Sequence, residues 1–358
     1  MGKTYFRKKN ISFVLKLIVY LFLKNIFRYY NKIYFRSVKV YGKNNIPTDG
    51  GVIFSPNHQG ALLDPLVLAS LTKGKITSLT RSDIFGGPFQ WFLDAFYMLP
   101  VYRIRNGYSN LKKNDEIFVK CYNLLGLGKF MLMFSEGRHH NEYYLQNLSK
   151  GSSRLAFKAA QENPGKKIYL QPVGINYGHH QQPRCTLHLV YGQPIEVSGF
   201  IDLKLNDAEN INILKLELQN RMKACLWLPD NNENYPIQKR KINRHTTQVD
   251  FKTLKSALQN NYNKMPEVKQ KSNTRKVLIF LLSLPNIIPL LISRKIIGKI
   301  EDIVFISSLK YVLGVFLFPI WWLTTSITIA YINGNRVMTV YLLICTLTLF
   351  IKQRISLS

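Results

Sequence analysis

The sequence predicts an α/β domain, a central mixed sheet flanked by helices, set between interfacial helices at the N-terminus and transmembrane helices at the C-terminus. Three observations carry that reading. Short apolar runs alternate with amphipathic stretches from about Ser37 to Pro229, the spacing of strands joined by helices. No acidic residue precedes Asp49, whereas Lys and Arg recur from Lys3 to Lys43 among Phe, Ile, Leu, Val and Tyr. Val312 to Ile332 runs for 21 residues without a charge, enough to cross a bilayer, which takes roughly 20.

In chain order, residues 11–38 read as one or two surface-lying helices. Leu17 to Leu23 is too short to span, and Lys16 and Lys24 interrupt it. Strands are expected at Val38–Tyr41, Gly51–Ser55, Ile76–Thr80, Phe130–Phe134, Ile168–Val173 and Thr186–Tyr191. Helices are expected between them at Pro65–Leu71, Pro88–Leu93, Lys112–Leu125, Gly151–Glu162 and Ala208–Leu226. Asp64 is the expected N-cap of the first, with Pro65 at its first helical position. Residues 231–276 are rich in Asn, Gln, Lys and Arg and read as a polar linker with one exposed helix around 250–263. Val277 to Ile292 is apolar but broken by Pro285 and Pro289, a kinked or re-entrant piece. Val312–Ile332 and Val337–Ile351 read as a transmembrane hairpin turned at Asn333-Gly334-Asn335. The resulting division is 1–37, 38–230, 231–276 and 277–358.

The chain has 358 residues, 46% apolar, and a net charge of +29. Such a charge must face something anionic. The N-terminal cations alternate mainly with aliphatic side chains, which favours a lipid surface over nucleic acid. Four scattered cysteines without CxxC spacing point to a reducing compartment and no metal site. The N-terminus lacks the small-residue cleavage site of a secretory signal. The motifs of serine-elbow hydrolases, P-loops and dinucleotide folds are missing.

The chemistry concentrates in VIFSPNHQGALLDPLVL, Val52 to Leu68. A buried strand runs into a polar loop that places His58 and Asp64 at a helix start. An imidazole beside a carboxylate can deprotonate a hydroxyl. MLPVYRIRNG carries Arg103 and Arg105 on one side of an extended segment, where paired guanidiniums suit a phosphate. In FMLMFSEGRHHNE, Gly137 permits a tight turn at a strand's carboxyl end, where α/β proteins bind ligands. Glu136 would there accept from a polyol and Arg138 bind a phosphate. Adjacent His139 and His140 rarely face one way and are not read as a metal pair. Lys150-Gly151 opens a helix whose amide end favours an anion, and YLQPVGINYGHH closes a further strand.

Taken in order, NHQGALLDP, PVYRIR, FSEGR and QPVGINY resemble the glycerophospholipid acyltransferase family, across roughly residues 38–200. Two departures stand out. Five residues separate His58 from Asp64 where the common motif has four, and EGRHHN replaces EGTRS. Both are similar to a branch acting on glycerol 3-phosphate or dihydroxyacetone phosphate. The resemblance implies direct acyl transfer from a thioester, of CoA or an acyl carrier protein, to a glycerol-phosphate hydroxyl, with no cofactor or metal. It implies His58 as base, Asp64 as its orienting partner, Arg103 and Arg138 toward phosphate, and Glu136 and Gly137 toward glycerol, while Arg105 and Lys150 remain candidates read from their own segments. Backbone amides near Gly60 or Gly137 are candidate oxyanion donors. The expected function is conversion of 1-acyl-sn-glycerol-3-phosphate to phosphatidic acid in phospholipid biosynthesis. The alternatives are acylation of glycerol 3-phosphate or dihydroxyacetone phosphate, or a non-enzymatic cationic binder of membrane or nucleic acid. The enzyme reading places the chain in a cell inner membrane, facing the cytoplasm, with lipids and no nucleic acid as partners.

Overall fold

The computed structural model describes residues 2–87, 90–102, 113–259 and 273–355. A long helix, α1 (Gly2–Tyr34), leads into β1 (Ser37–Tyr41), β2 (Gly51–Pro56), α2 (Leu63–Leu71), β3 (Ile76–Arg81), α3 (Gln90–Ala95) and β4 (Met98–Val101). Then follow α4 (Lys113–Gly126), β5 (Phe130–Leu132), α5 (Gly151–Glu162), β6 (Ile168–Tyr177), β7 (Thr186–Tyr191), β8 (Ile195–Glu196) and α6 (Asp207–Ala224). The strands form one mixed sheet in the order β1-β7-β6-β2-β5-β3-β4, with β8 also on β6. From β6 to β4 every neighbouring pair is parallel, while β7 and β8 run antiparallel to β6. A parallel sheet covered on both faces reads as continuous apolar runs, and β2 and β6 are accordingly buried at every position.

All six expected strands form, and β4 and β8 are additions. Two strand ends differ from expectation. β5 stops at Leu132, which frees Phe134 to leave the sheet. β6 runs to Tyr177, through the Pro172 and Gly174 that suggested its end. Gly174 serves close approach instead: a Cβ there would lie 2.0 Å from the Cys225 carbonyl oxygen.

The expected interfacial segment is a single helix with two apolar faces. Tyr20, Leu23, Phe27 and Tyr34 of α1 join the core cluster containing Phe54 of β2 and Tyr177 of β6. Val14, Leu15, Ile18, Leu21 and Phe22 stay exposed. The stretch read as a linker is also partly structured. Its helices α7 (Tyr235–Lys241) and α8 (Phe251–Gln259) bury Tyr235, Phe251 and Leu254 against Trp227 and Tyr143. Aromatic and apolar residues spaced through a polar stretch suffice to dock it.

At the C-terminus, α9 (Asn273–Leu281) and α10 (Ile287–Ile297) form a pair bent by 46° around Pro285. Then α11 (Phe305–Asn333) and α12 (Asn335–Ile355) turn at Gly334, whose φ is 83°. Those last two are long and apolar enough to cross a membrane. They form the expected hairpin, but α11 begins within the domain: Tyr311 and Val315 belong to the same core as α1 and β2.

Candidate active site

The site lies at the carboxyl ends of the parallel strands β2, β5 and β6. After Pro56, Asn57 uses its side-chain amide as a substitute peptide. It donates to the Ile175 carbonyl (2.9 Å) and accepts from the Ile175 N–H (2.7 Å), extending the pairing of β2 with β6 beyond the strand. Gln59 donates to the Glu142 carbonyl (2.6 Å). Between them the His58 main chain is held on both sides. Its N–H donates to Glu136 Oε1 (2.8 Å), and its carbonyl accepts from the His140 N–H (3.1 Å). His58 is therefore mounted on a backbone with little freedom left.

Sequence reasoning placed His58 and Asp64 together, and they meet: His58 Nδ1 lies 2.8 Å from Asp64 Oδ2. Asp64 is not the N-cap. The helix starts earlier, at Leu63, with Leu62 capping position and no side-chain cap. The Asp64 carboxylate turns back instead to accept from the Gly60 N–H (2.9 Å) and the Tyr177 hydroxyl (2.8 Å). It is fully buried, and His58 only 16% exposed. A buried carboxylate needs this many donors to remain charged. With Nδ1 facing the carboxylate, His58 turns Nε2 outward, without a protein partner among the described residues. The imidazole stacks on Phe134 with centroids 3.8 Å apart, and His139 meets it edge-on at 5.6 Å.

The loop has no room for a side chain at Gly60, where a Cβ would lie 2.5 Å from Asp64 Oδ1. Ala61 takes a left-handed conformation, φ 46°, inside the turn closed by the Leu63 N–H on the Gly60 carbonyl. Such a conformation costs roughly 1–2 kcal/mol for a residue with a Cβ.

The remaining expected residues divide. Glu136 does not present its carboxylate to a ligand. Oε1 accepts from the His58 N–H, and Oε2 accepts from His140 Nε2 (2.6 Å) and the Gln146 N–H (3.3 Å). Its work is internal, joining the two loops that carry the site. The proposed oxyanion amides are also engaged: Gly60 N–H by Asp64, Gly137 N–H by the Phe134 carbonyl (3.1 Å). Gly137 does make the expected tight turn, at φ 74°. Arg138 beside it is exposed, as is Lys150 at the start of α5, and neither side chain has a hydrogen-bond partner among the described residues. Their loops are tied together by the Ser149 N–H on the Ser135 carbonyl, 2.7 Å. Arg103 and Arg105 lie outside the described residues. His139 and His140 diverge, toward Asp302 and Glu136 respectively.

Tyr177 went unnoticed in the sequence because QPVGINY reads as an ordinary strand end. Burial, then the Asp64 charge, push its hydroxyl well above the usual tyrosine range, so it stays a donor at any physiological pH. Tyr177→Phe would leave Asp64 Oδ1 without a donor. The expected loss is about 1–3 kcal/mol of stability and roughly tenfold in kcat, the rate equivalent of ~1.4 kcal/mol. Thermal unfolding and steady-state turnover measure the two; unchanged values of both would remove Tyr177 from the site.

Residues 37–176 match the family model described as Acyltransferase. This segment is an acyltransferase domain. Over 109 residues it is 28% identical to glycerol-3-phosphate O-acyltransferase 2 of Saccharomyces cerevisiae, a match covering 30% of this chain. The chain spans 15% of that relative's length. Together these matches support the glycerophospholipid acyltransferase family. Among solved structures, the 1-acyl-sn-glycerophosphate (LPA) acyltransferase of Thermotoga maritima aligns at 20% identity and a TM-score of 0.40. That alignment covers 60% of this chain and 82% of the other. Within the acyltransferase domain, the matched segment takes in β1 through most of β6, and so nearly all of the His58–Asp64 site. Tyr177 lies one residue beyond the match.

Proposed function

We propose that the protein is a membrane-bound O-acyltransferase that moves a fatty acyl group from an acyl thioester to 1-acyl-sn-glycerol-3-phosphate, yielding phosphatidic acid for phospholipid synthesis. The observation that carries this reading is the free Nε2 of His58, opposite an Nδ1 held 2.8 Å from a buried carboxylate. Nε2 takes the proton of the acceptor hydroxyl as its oxygen attacks the thioester carbonyl. Asp64 stabilises the imidazolium that forms. Collapse of the tetrahedral intermediate breaks the C–S bond and makes the ester. The departing thiolate then recovers the proton from Nε2 and leaves as a thiol. Acceptor and donor thus react in one ternary complex, without an acyl-enzyme.

Arg138 and Lys150, exposed on adjoining loops, supply the cations for the acceptor's phosphate, with Arg103 and Arg105 from the sequence. The acyl chains partition into lipid through the exposed apolar face of α1 and the C-terminal helices. Arg275 at the start of α9 donates to the Ile355 carbonyl at the end of α12 (2.8 Å). Basic residues therefore gather on one side of the membrane, the cytoplasmic side by the positive-inside rule. The bent pair α9–α10 then enters and returns on that side.

A second reading, with glycerol 3-phosphate or dihydroxyacetone phosphate as acceptor, is favoured by the lengthened His58–Asp64 loop and by the acceptor in the yeast relative's name. Assay of the purified enzyme in vesicles with each acceptor and an acyl-CoA separates the two. Acylation of the lysolipid with little of glycerol 3-phosphate supports the first; the reverse preference selects the second. In the same assay Arg138→Ala is expected to raise the acceptor KM about tenfold, the cost of one charge-assisted phosphate contact. The donor KM should barely move, and an equal rise in both would exclude a phosphate role for Arg138.

A further inference from the structure

The apolar C-terminal helices would ordinarily be taken as an anchor. The first of them reaches the catalytic turn. Ser308, in the second turn of α11 and buried, donates from Oγ to the Gly60 carbonyl (2.7 Å) and accepts from the Leu63 N–H (2.9 Å). Gly60 and Leu63 flank the left-handed Ala61, and the Gly60 N–H is one of three donors to Asp64. Just before α11, Asp302 Oδ2 lies 2.8 Å from His139 Nε2, and the Phe305 ring stands 5.3 Å from the same imidazole. His139 in turn faces His58. Partial burial alone would raise the Asp302 carboxyl; the hydrogen bond to His139 and the nearby Arg81 outweigh it and hold it below its usual value. Deeper, Tyr311 donates to Asn31 Oδ1 of α1 (2.8 Å), and Asn31 donates to Ser70 of α2 (2.9 Å). The helix start is thus tied by buried polar contacts to α1 and, through Asn31 and the Leu63 N–H, to α2.

We infer that Ser308 is a positioning residue of the acyltransferase site: the start of the first membrane helix holds the His58–Asp64 turn in its working shape, so seating of that helix and catalysis are coupled. The inference rests on the acyl-transfer reading of His58. A strained turn persists only when its surroundings over-determine it. Ser308 is the one side chain on α11 that satisfies both the carbonyl and the amide of that turn. Without it, the Gly60 carbonyl keeps the Leu63 N–H as its partner, but the turn that presents the Gly60 N–H to Asp64 loses its tie to α11.

The test is turnover in vesicles of fixed composition. Ser308→Ala is expected to lower kcat about tenfold, within what a misplacement below 1 Å can cause, with both KM values within about twofold of wild type. Ser308→Thr keeps the hydroxyl and should restore most of the rate. Ser326→Ala, the same change further along the same helix, should alter nothing. A Ser308→Ala enzyme with wild-type kcat overturns the proposal. His58→Ala measured alongside separates the two claims. If it keeps full activity, the acyl-transfer reading itself fails; if it is dead while Ser308→Ala is normal, only the role of Ser308 fails. Should Ser308→Ala not fold, Asp302→Ala cuts the second tie at an exposed position. It is expected to lower kcat about threefold at constant KM, and no change in kcat would equally overturn the coupling.

Discussion

His58→Ala is expected to reduce acyl transfer by at least about 10²–10⁴-fold, the usual share of a general base, and to leave the protein folded. The two halves of this expectation have separate causes. The rate falls because Nε2 of His58 has no protein partner among the described residues, while Nδ1 is held by Asp64. The fold survives because the loop does not hang on the imidazole. Its main chain is fixed by Glu136 and by the His140 N–H, and its flanks by Asn57 and Gln59. The ring's packing loss is limited to its stack on Phe134 and its edge contact with His139. Far-ultraviolet circular dichroism and the unfolding temperature, taken with kcat, would show both halves. A folded variant turning over at the wild-type rate would end the base assignment.

Asp64→Asn is expected to be severe, but to a degree that Tyr177 sets. An asparagine has one acceptor oxygen where the carboxylate has two, and three donors converge on the site. If the amide nitrogen faces His58, the imidazole is forced into the wrong tautomer, an arrangement worth about 10⁴ in comparable triads. If it faces Tyr177 instead, the phenol oxygen can accept, and the Asn oxygen still serves His58 and Gly60. Then only the negative charge is lost. The second placement leaves fewer donors opposed and should prevail, giving a fall of about 10²–10³-fold. The comparison that decides is Asp64→Asn alone against Asp64→Asn with Tyr177→Phe. Removing the phenol takes away the one donor that this placement opposes, so the double variant should lose less than the product of the single losses. A loss equal to that product or greater would mean that Tyr177 and residue 64 do not share this arrangement.

The central strands were readable because parallel strands buried on both faces are written as short uninterrupted apolar runs. The pairing of His58 with Asp64 was readable because both lie on one short loop. What the sequence hid is non-local or turns on direction. Nothing in EGRHHN tells whether Glu136 looks outward to a ligand or inward to the His58 backbone. The local pattern DP after an apolar run signals an N-cap, yet two donors on the same loop and the distant Tyr177 draw the carboxylate back and override it. Gly174 marks a strand end by propensity and is a close-approach site in fact. Ser308 carried no signal at all, since one serine near the start of an apolar helix is unremarkable until the turn it bridges is known.

The bond between Ser308 and Gly60 also has a consequence in time. The partners are 248 residues apart in the chain. At a synthesis rate of about 5–20 residues per second, the His58 loop leaves the ribosome on the order of tens of seconds before the helix that braces it. During that interval the His58–Asp64 loop stands without the brace. On the inferred role of Ser308, acyl transfer at full rate would begin only once α11, near the end of the chain, has been made.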